Sequence, residues 1–349
     1  MRVQRFLSGR PHSLHQACHH GDRDPDQLHV PDFLRAYSLR GLTRARLRAV
    51  WNVAGAPVHQ GGDAMRIGFI GIGKMGAPMA LRLAGAGHPV TVFDSSQEAV
   101  SAIAGTEGIT AAPTLEDAVR GAEIIVTMLP NGAIVRSVVE ACMAAMADGA
   151  VLVDMSTSYP LETTALRDAL PERIALVDAP VSGGVWRAEI GTLTLITGGE
   201  EAVVDRIEPA LSAMGTVVRT GTLGSGHAMK LLNNYLSASG LAAASEAVLI
   251  GRKFGLDPAV MADVFNGSTG MNNATKVKLK QHINNGAFAT GFTMGLMSKD
   301  LTLARKLSED MDVGAKGLSA MQELFAEAVD NLGENSDHSE IIKLLDRST

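Results

Sequence analysis

Lys230 and Asn234 are the side chains in this sequence best placed to carry out acid–base chemistry together. They lie four residues apart in an Ala-rich stretch, residues 226–254, whose apolar side chains recur at helical spacing. Residues four apart share one face of a helix, one turn apart. A lysine among apolar neighbours has a lowered pKa, so it can exchange a proton near neutral pH. The alternative is a solvated helix lysine without a chemical role.

The predicted helix over residues 226–254 divides the chain into two parts. At about 1.5 Å per residue it would extend roughly 40 Å, more than the width of a small domain. Strands and helices alternate before it, and helical patterns alone follow it. We therefore predict an α/β Rossmann-type domain over residues 65–226, joined by a long helix to an all-α C-terminal domain, both within residues 227–349.

A glycine-rich turn follows the first predicted strand, residues 66–70, and precedes a predicted helix. Such a turn allows a pyrophosphate to approach the backbone, and the helix N-terminus favours its negative charge. A second strand ends in Asp94, where a carboxylate would accept hydrogen bonds from ribose hydroxyls and repel a 2′-phosphate. This pattern favours NAD over NADP, and the alternative is a turn without a ligand. The turn residues are Gly71, Ile72, Gly73, Lys74, Met75 and Gly76.

Three further strand ends carry candidate ligand-binding residues. Leu129 and Pro130 would form an apolar wall beside the nicotinamide, and Thr157 offers a hydroxyl at the same rim. Both segments are also ordinary strand-to-loop sequences. The Ser182-Gly183-Gly184 segment exposes successive N–H groups, which suits a carboxylate. A tight turn that requires positive φ explains this segment equally well.

Composition excludes several classes of function. The net charge of −6 disfavours nucleic acid as a partner. Two cysteines are too few for a disulfide framework or a structural zinc site, so we expect no metal and a reducing location, the cytoplasm. No apolar run reaches the ~18 residues of a membrane span.

Residues 1–64 differ from the rest of the chain. They are rich in Arg, lack Lys and contain no usable hydrophobic period. Acidic residues at positions 22, 24, 26 and 32 count against a mitochondrial transit peptide. We interpret them as a disordered extension or as the product of a start codon assigned too early, with Met65 opening the folded protein.

His227 and Cys142 are predicted to take no part in the chemistry. His227 lies at the start of the long helix and is predicted to be a surface histidine, and Cys142 is predicted to lie in the core.

Further helices are expected over residues 275–284, 295–309 and 317–331, after an Asp257-Pro258 helix start. The tail beyond Asn331 is polar.

Four sequence blocks, in order, are similar to those of the β-hydroxyacid dehydrogenase family. They are GFIGIGKMGAPMA, DAPVSGG with GTLTLITGG, GSGHAMKLLNN and GFTMGLMSKDLTLA, and they extend over most of residues 65–307. The resemblance implies a Rossmann-type domain, a connecting helix and a C-terminal helical domain of 6-phosphogluconate dehydrogenase type. It further implies a homodimer or homotetramer.

The resemblance also implies residue roles. Lys230 matches the catalytic lysine and Asn234 matches the residue that orients the substrate. Ser182, Gly183 and Gly184 match the loop that binds the substrate carboxylate. Thr157 and Lys299 match positions that contact the cofactor, and Asp300 matches the acid paired with Lys299.

The chain departs from the family pattern at Trp186 and Arg187, where a small residue or glycine is usual. Either the loop is merely bulkier, or Arg187 faces the pocket and binds a second anionic group, since Arg recognises carboxylates well. Residues 268–273 differ from the hydroxyisobutyrate enzymes as well, so the substrate stays open.

These observations predict an NAD-dependent dehydrogenase of small 3-hydroxy acids resembling 3-hydroxyisobutyrate, with Lys230 as general acid/base. Alternatives within the family are tartronate semialdehyde reduction, serine oxidation, and oxidation of a 3-hydroxy acid with a second anion. Imine reduction and a non-catalytic NAD-binding module are disfavoured by the presence of Lys230.

Overall fold

The computed structural model describes residues 63–346. Our interpretation of residues 1–64 therefore falls outside the described residues, except for the last two positions. The described part contains an α/β region followed by a helical region, as the sequence predicted.

In the described part of the chain, nine strands form one sheet in the order β3-β2-β1-β4-β5-β6-β8-β7, with β9 paired to β8. Strands β1 to β6 pair in parallel, whereas β8 runs antiparallel to both β6 and β7. The last strand, β9, is parallel to β8. The strands are β1 (Ile67–Ile70), β2 (Val90–Phe93), β3 (Ile109–Ala111), β4 (Ile124–Thr127), β5 (Val151–Asp154), β6 (Ala175–Asp178), β7 (Val181–Ser182), β8 (Leu193–Gly198) and β9 (Gly215–Gly221).

Helices cover the sheet and form the C-terminal region. Those of the α/β region are α1 (Gly76–Gly85), α2 (Gln97–Ile103), α3 (Leu115–Val119), α4 (Gly132–Cys142), α5 (Pro160–Ala169), α6 (Gly184–Ile190) and α7 (Glu201–Leu211). Those that follow are α8 (Ser225–Phe254), α9 (Pro258–Asn266), the π-helix (Ala274–Ile283), α10 (Met294–Asp310), α11 (Lys316–Leu332) and α12 (Ile341–Leu345). Within residues 63–346, no helix combines the length and apolarity that a membrane crossing requires.

Every residue of β1, β4 and β5 is buried, as expected for central parallel strands with helices on both faces. Separate apolar clusters form on the two sides of the sheet. Cys142 lies in one of them, as predicted, and burial raises the pKa of its thiol to about 11. The central strands therefore hold their carboxyl ends rigidly at one edge of the sheet.

Helix α8 is 30 residues long and packs against the helical region's own apolar core. Asp257 caps α9 with Pro258 in its first turn, as predicted. The helices predicted over residues 275–284, 295–309 and 317–331 are present, the first of them as a π-helix. The polar tail includes Ile341 and Ile342, which pack into the core as α12.

Candidate active site

The glycine-rich turn after β1 uses three glycines for three different reasons. Gly71 has φ +98°, and a Cβ there would lie 2.3 Å from the Met128 carbonyl oxygen. A Cβ at Gly76 would lie 1.9 Å from the Gly71 carbonyl oxygen, so α1 can begin this close to the turn only with glycine. At Gly73 a Cβ would meet nothing within 4 Å. The turn therefore leaves an open approach to backbone at the start of α1, which fits a dinucleotide pyrophosphate.

Asp94 connects the end of β2 to this turn. Its Oδ2 accepts a hydrogen bond of 2.6 Å from the Ile72 N–H, and its Oδ1 accepts one of 2.8 Å from the Ser96 N–H. Lys74 is exposed and Met75 is half-buried at the start of the helix. The structure thus brings the predicted carboxylate beside the predicted phosphate-binding turn.

The ends of β4 and β5 lie side by side, because Thr127 pairs with Asp154 in the sheet. The Leu129 N–H donates a 2.9 Å hydrogen bond to Ser156 Oγ, which joins the two predicted rim segments. Pro130 is exposed, and Thr157 is half-buried. Leu129, Pro130 and Thr157 therefore share one rim, as predicted for parallel strands.

Helix α10 holds this rim from the helical side. Lys299 Nζ donates a 3.0 Å hydrogen bond to the Thr157 carbonyl oxygen. Two turns further along α10, Lys306 Nζ lies 3.9 Å from the ring centroid of Tyr159, whose hydroxyl donates to Asp310. The contacts fix the loop that carries Thr157 against α10.

A buried carboxylate organises the loop after β5. Asp154 accepts hydrogen bonds from Thr127 Oγ1 at 2.9 Å, the Ser156 N–H at 3.0 Å and Ser158 Oγ at 2.6 Å. Its neighbour in the sheet, Asp178, does the same for the start of α8. It accepts from the N–H groups of Gly224 and His227, both at 2.7 Å. Burial raises the pKa of Asp178, and these donors act against that rise.

The prediction that His227 lies on the surface is wrong. Its side chain is fully buried, with Nε2 3.1 Å from the Ser156 carbonyl oxygen and Nδ1 2.8 Å from Thr163 Oγ1. Because a carbonyl oxygen only accepts, Nε2 carries a proton. Asp154 and Asp178 stand on either side, at 3.7 and 3.8 Å. Helical spacing alone does not reveal that the opening turn of α8 lies beneath the strand ends.

Lys230 and Asn234 are both buried on α8, with exposed fractions of 7% and 6%. Asn234 Nδ2 donates a 2.6 Å hydrogen bond to Asp300 Oδ2, and Lys299 Nζ lies 3.2 Å from Asp300 Oδ1. The Lys230 side chain makes no hydrogen bond or ion pair within residues 63–346. Burial lowers the pKa of its ammonium, the Asp300 charge opposes this, and the Lys299 charge adds to it. A neutral amine is thereby made accessible at lower pH than for a free lysine.

The Ser182-Gly183-Gly184 segment lies at the same edge of the sheet. Ser182 pairs with Thr194 in β8, and α8 closely approaches β8, since a Cβ at Gly226 would lie 2.2 Å from the Ile196 carbonyl oxygen. Gly183 and Gly184 are exposed with φ of +138° and +73°, which confirms the tight turn and leaves their N–H groups accessible.

Arg187 belongs to α6, a helix that the sequence did not lead us to expect. Its Cδ lies 2.7 Å from the position of a Cβ on Gly183, so its stem packs against the turn. The guanidinium makes no hydrogen bond or ion pair within the described part of the chain. Its contact with Gly183 leaves both interpretations of this residue open.

Sequence reasoning overlooked Asp154, Asp178 and Ser156 as parts of the site. One signal was present, because β5 and β6 both end in Val-Asp and then a loop with serine. Paired aspartates at the carboxyl ends of adjacent strands point to a shared polar function.

Comparisons with known proteins agree with this geometry. Residues 66–224 match the family model of the NAD binding domain of 6-phosphogluconate dehydrogenase. Residues 224–345 match that of the NAD-binding region of NADP-dependent 3-hydroxyisobutyrate dehydrogenase.

Individual relatives cover most of the chain. It is 37% identical to 2-(hydroxymethyl)glutarate dehydrogenase of Eubacterium barkeri, over 82% of this chain and 96% of that protein. It is 35% identical to 3-hydroxyisobutyrate dehydrogenase of Pseudomonas aeruginosa, over 80% and 97%. The structure of Mycobacterium tuberculosis 3-hydroxyisobutyrate dehydrogenase with L-serine superposes with a TM-score of 0.77 at 31% identity, over 81% of this chain and 100% of that chain. The chain therefore belongs to the β-hydroxyacid dehydrogenase family.

Proposed function

We propose that this protein is an NAD-dependent dehydrogenase of small 3-hydroxy acids, in which Lys230 is the general acid/base. The observation that carries the proposal is a buried lysine without a hydrogen-bond partner in residues 63–346, next to the Asn234–Asp300 pair. A structural lysine would be expected to have partners, because an unpaired buried charge is costly.

Different residues of the protein have different roles in the proposed reaction. NAD, when bound, supplies the hydride acceptor for alcohol oxidation. Neutral Lys230 removes the hydroxyl proton, and in the reducing direction its ammonium returns a proton to the developing alkoxide. Asn234 orients the substrate, and its hydrogen bond to Asp300 holds the amide in place. The N–H groups of the turn at Ser182, Gly183 and Gly184 bind the substrate carboxylate.

The residues proposed to hold the cofactor form two groups, one at the glycine-rich turn with Asp94 and one at the strand-end rim. We propose a preference for NAD over NADP, because the Asp94 carboxylate would repel a 2′-phosphate. The Lys299 contact with the Thr157 carbonyl oxygen would hold the rim in position around the nicotinamide. The residues are Gly71, Ile72, Gly73, Lys74, Met75, Gly76, Asp94, Leu129, Pro130, Thr157 and Lys299.

A second candidate function is oxidation of a 3-hydroxy acid that carries another anionic group. This candidate is favoured by the 37% sequence identity to a relative named 2-(hydroxymethyl)glutarate dehydrogenase. Tartronate semialdehyde reduction would use the same residues in the opposite direction.

We further propose a homodimer or homotetramer located in the cytoplasm, with the domain boundary at residues 226 and 227. The exposed face of α8 includes Leu236, Ile250 and Phe254, which are 68%, 70% and 84% exposed. Three strongly exposed apolar side chains on one face of a helix suit contact with a second copy of the chain.

The experiment uses the full chain, NAD and a panel of 3-hydroxy acids, with NADH absorbance as the measure of turnover. Oxidation of at least one acid, together with tighter binding of NAD than of NADP, would support the proposal. NAD binding without turnover of any hydroxy acid would instead favour the non-catalytic NAD-binding module.

A further inference from the structure

The face of α8 that carries the proposed catalytic lysine continues past Asn234. Ser237 follows Lys230 by seven residues and Asn234 by three, so the three side chains lie along one stripe of the helix. Ser237 is about 10 Å along the helix axis from Lys230, at a rise of 1.5 Å per residue. The stripe therefore leads from the proposed reaction centre into the helical region.

A second buried lysine meets this stripe from the π-helix. Lys278 is 8% exposed, and its Nζ donates a 3.1 Å hydrogen bond to Ser237 Oγ. Within residues 63–346 no carboxylate lies within 4 Å of this ammonium. Two of its three N–H donors consequently have no acceptor in the described structure, which is a costly arrangement for a buried charge.

The groups around Lys278 do not neutralise it by direct contact. Asp337 is the acidic neighbour, but its oxygens accept from Thr290 Oγ1 at 2.8 Å, the Gly291 N–H at 3.0 Å and the Ser339 N–H at 3.0 Å. Burial lowers the pKa of Lys278 to about 8, while the Asp337 charge acts to raise it. The other titratable neighbours are histidines, so one more anion would be well accommodated here.

A histidine beside Lys278 also lacks a hydrogen-bond partner within residues 63–346. His282, one turn after Lys278 on the π-helix, has a buried Nδ1 atom without a hydrogen-bond partner in residues 63–346. His338 makes hydrogen bonds through Nδ1 to Thr290 Oγ1 and the Phe292 carbonyl oxygen, at 2.9 and 3.0 Å. Lys278 and His282 therefore both have unused hydrogen-bonding capacity on the same helix, which indicates a place for a polar ligand.

We propose that Lys278 and Ser237 form a subsite for the distal carboxylate of a 3-hydroxy dicarboxylic acid whose hydroxyl group is held at Lys230. The inference rests on the proposed function and extends it by naming the substrate class. An ammonium and a hydroxyl are suitable donors for a carboxylate, and charge-assisted hydrogen bonds are the stronger kind. The distal carboxylate would supply the acceptors that Lys278 lacks.

Arg187 is the alternative residue for binding the distal carboxylate, because it lies beside the turn proposed to bind the first carboxylate. The two side chains differ in how far they are buried. Arg187 is half-exposed, so water can solvate its guanidinium, whereas Lys278 is buried and has one acceptor, Ser237 Oγ, within residues 63–346. The two candidates are separated by substitution.

The test compares two acids that differ only in the distal group, 2-(hydroxymethyl)glutarate and 2-(hydroxymethyl)pentanoate, in the full-length enzyme with NAD. Lys278→Met should raise KM for the diacid about tenfold, the value of one charged hydrogen bond, with KM for the monoacid and kcat for both unchanged. Lys278→Arg should retain part of the preference. Lys280→Met is the matched control, because Lys280 is an exposed lysine on the same helix, ion-paired to Asp263.

A measurement of Tm distinguishes loss of the subsite from a purely structural effect of the substitution. Without substrate, the Tm of Lys278→Met should equal or exceed that of the wild type, since the variant removes a buried charge. A lower Tm with both acids equally affected would overturn the subsite. Loss of the diacid preference in Arg187→Ala but not in Lys278→Met would assign the second carboxylate to Arg187. Wild-type turnover of both acids with equal KM would overturn the inference alone, whereas turnover of no hydroxy acid would overturn the proposed function as well.

Discussion

The first half of α8 contacts two polar regions that differ in how completely their hydrogen bonds are made. At the start of the helix, Asp154, Asp178 and His227 are buried and all have partners. Further along the helix, Lys230 and Lys278 of the π-helix form what we call the open face. Their side chains are also buried, yet one has no partner and the other has one in residues 63–346. The contrast distinguishes groups that hold the structure together from groups kept available for a ligand.

The physical reason is the cost of burial. A satisfied polar network rigidifies its surroundings, whereas an unpaired buried charge lowers stability and is expected to persist where function requires it. Removing a member of the network should therefore affect stability most. Removing a member of the open face should affect turnover most.

The largest expected effect is on the open face. Lys230→Met should lower kcat for 3-hydroxy acids by about 10³-fold, the usual contribution of a general acid/base. The free energy of unfolding should be unchanged or higher, because the substitution removes a buried charge. Steady-state kinetics and urea unfolding measure the two quantities. A large loss of stability in this variant would place Lys230 with the structural network and break the comparison.

The second effect belongs to the network. His227→Leu should lower the free energy of unfolding by roughly 3 kcal/mol, because the Ser156 carbonyl oxygen and Thr163 Oγ1 each lose a hydrogen-bond partner beside two carboxylates. Chemical denaturation measures the change, with Lys280→Met as a surface control. Unchanged stability would show that this buried cluster is not what secures α8 to the strand ends.

A pH profile sharpens the account of the open face. In the oxidation direction Lys230 must be neutral, so kcat/KM rises as the pH passes through its pKa. The Asp300 charge raises that pKa, and Asp300→Asn should therefore move the rise to lower pH. The measurement is kcat/KM against pH in both proteins. A shift to higher pH would mean that Asp300 does not act on Lys230 through its charge.

The smallest effect concerns one hydrogen bond of the network. Thr163→Val should cost about 1 kcal/mol of stability, the usual value of a buried hydrogen bond, because His227 Nδ1 loses its partner at 2.8 Å. Turnover should be nearly unchanged. A large fall in kcat in this variant would show that the bond takes part in the reaction and does not only stabilise the fold.

The sequence predicted the architecture because its patterns are local. Apolar strands, the glycine-rich turn and the Ala-rich helix each follow from residues next to one another, and so does the shared face of Lys230 and Asn234. The environment of His227 depends on strand ends about seventy residues earlier, so spacing alone could not place it. Lys278 was overlooked for a related reason, because the π-helix changes which side chains share a face.

The polar tail shows the same limit. Ile341 and Ile342 are the only adjacent pair of isoleucines after residue 331, too short a signal for a helix, yet both are buried in the helical core. Tertiary packing decides the structure of segments this short.

Chemical rescue of a Lys230→Ala variant tests the central claim most directly. The full chain is assayed with NAD and its best 3-hydroxy acid, with and without small alkylamines, while NAD affinity is measured separately. We predict loss of turnover with NAD affinity retained, and partial recovery that increases with the concentration of neutral amine. Turnover at the wild-type rate in the unsupplemented variant would contradict Lys230 as the general acid/base.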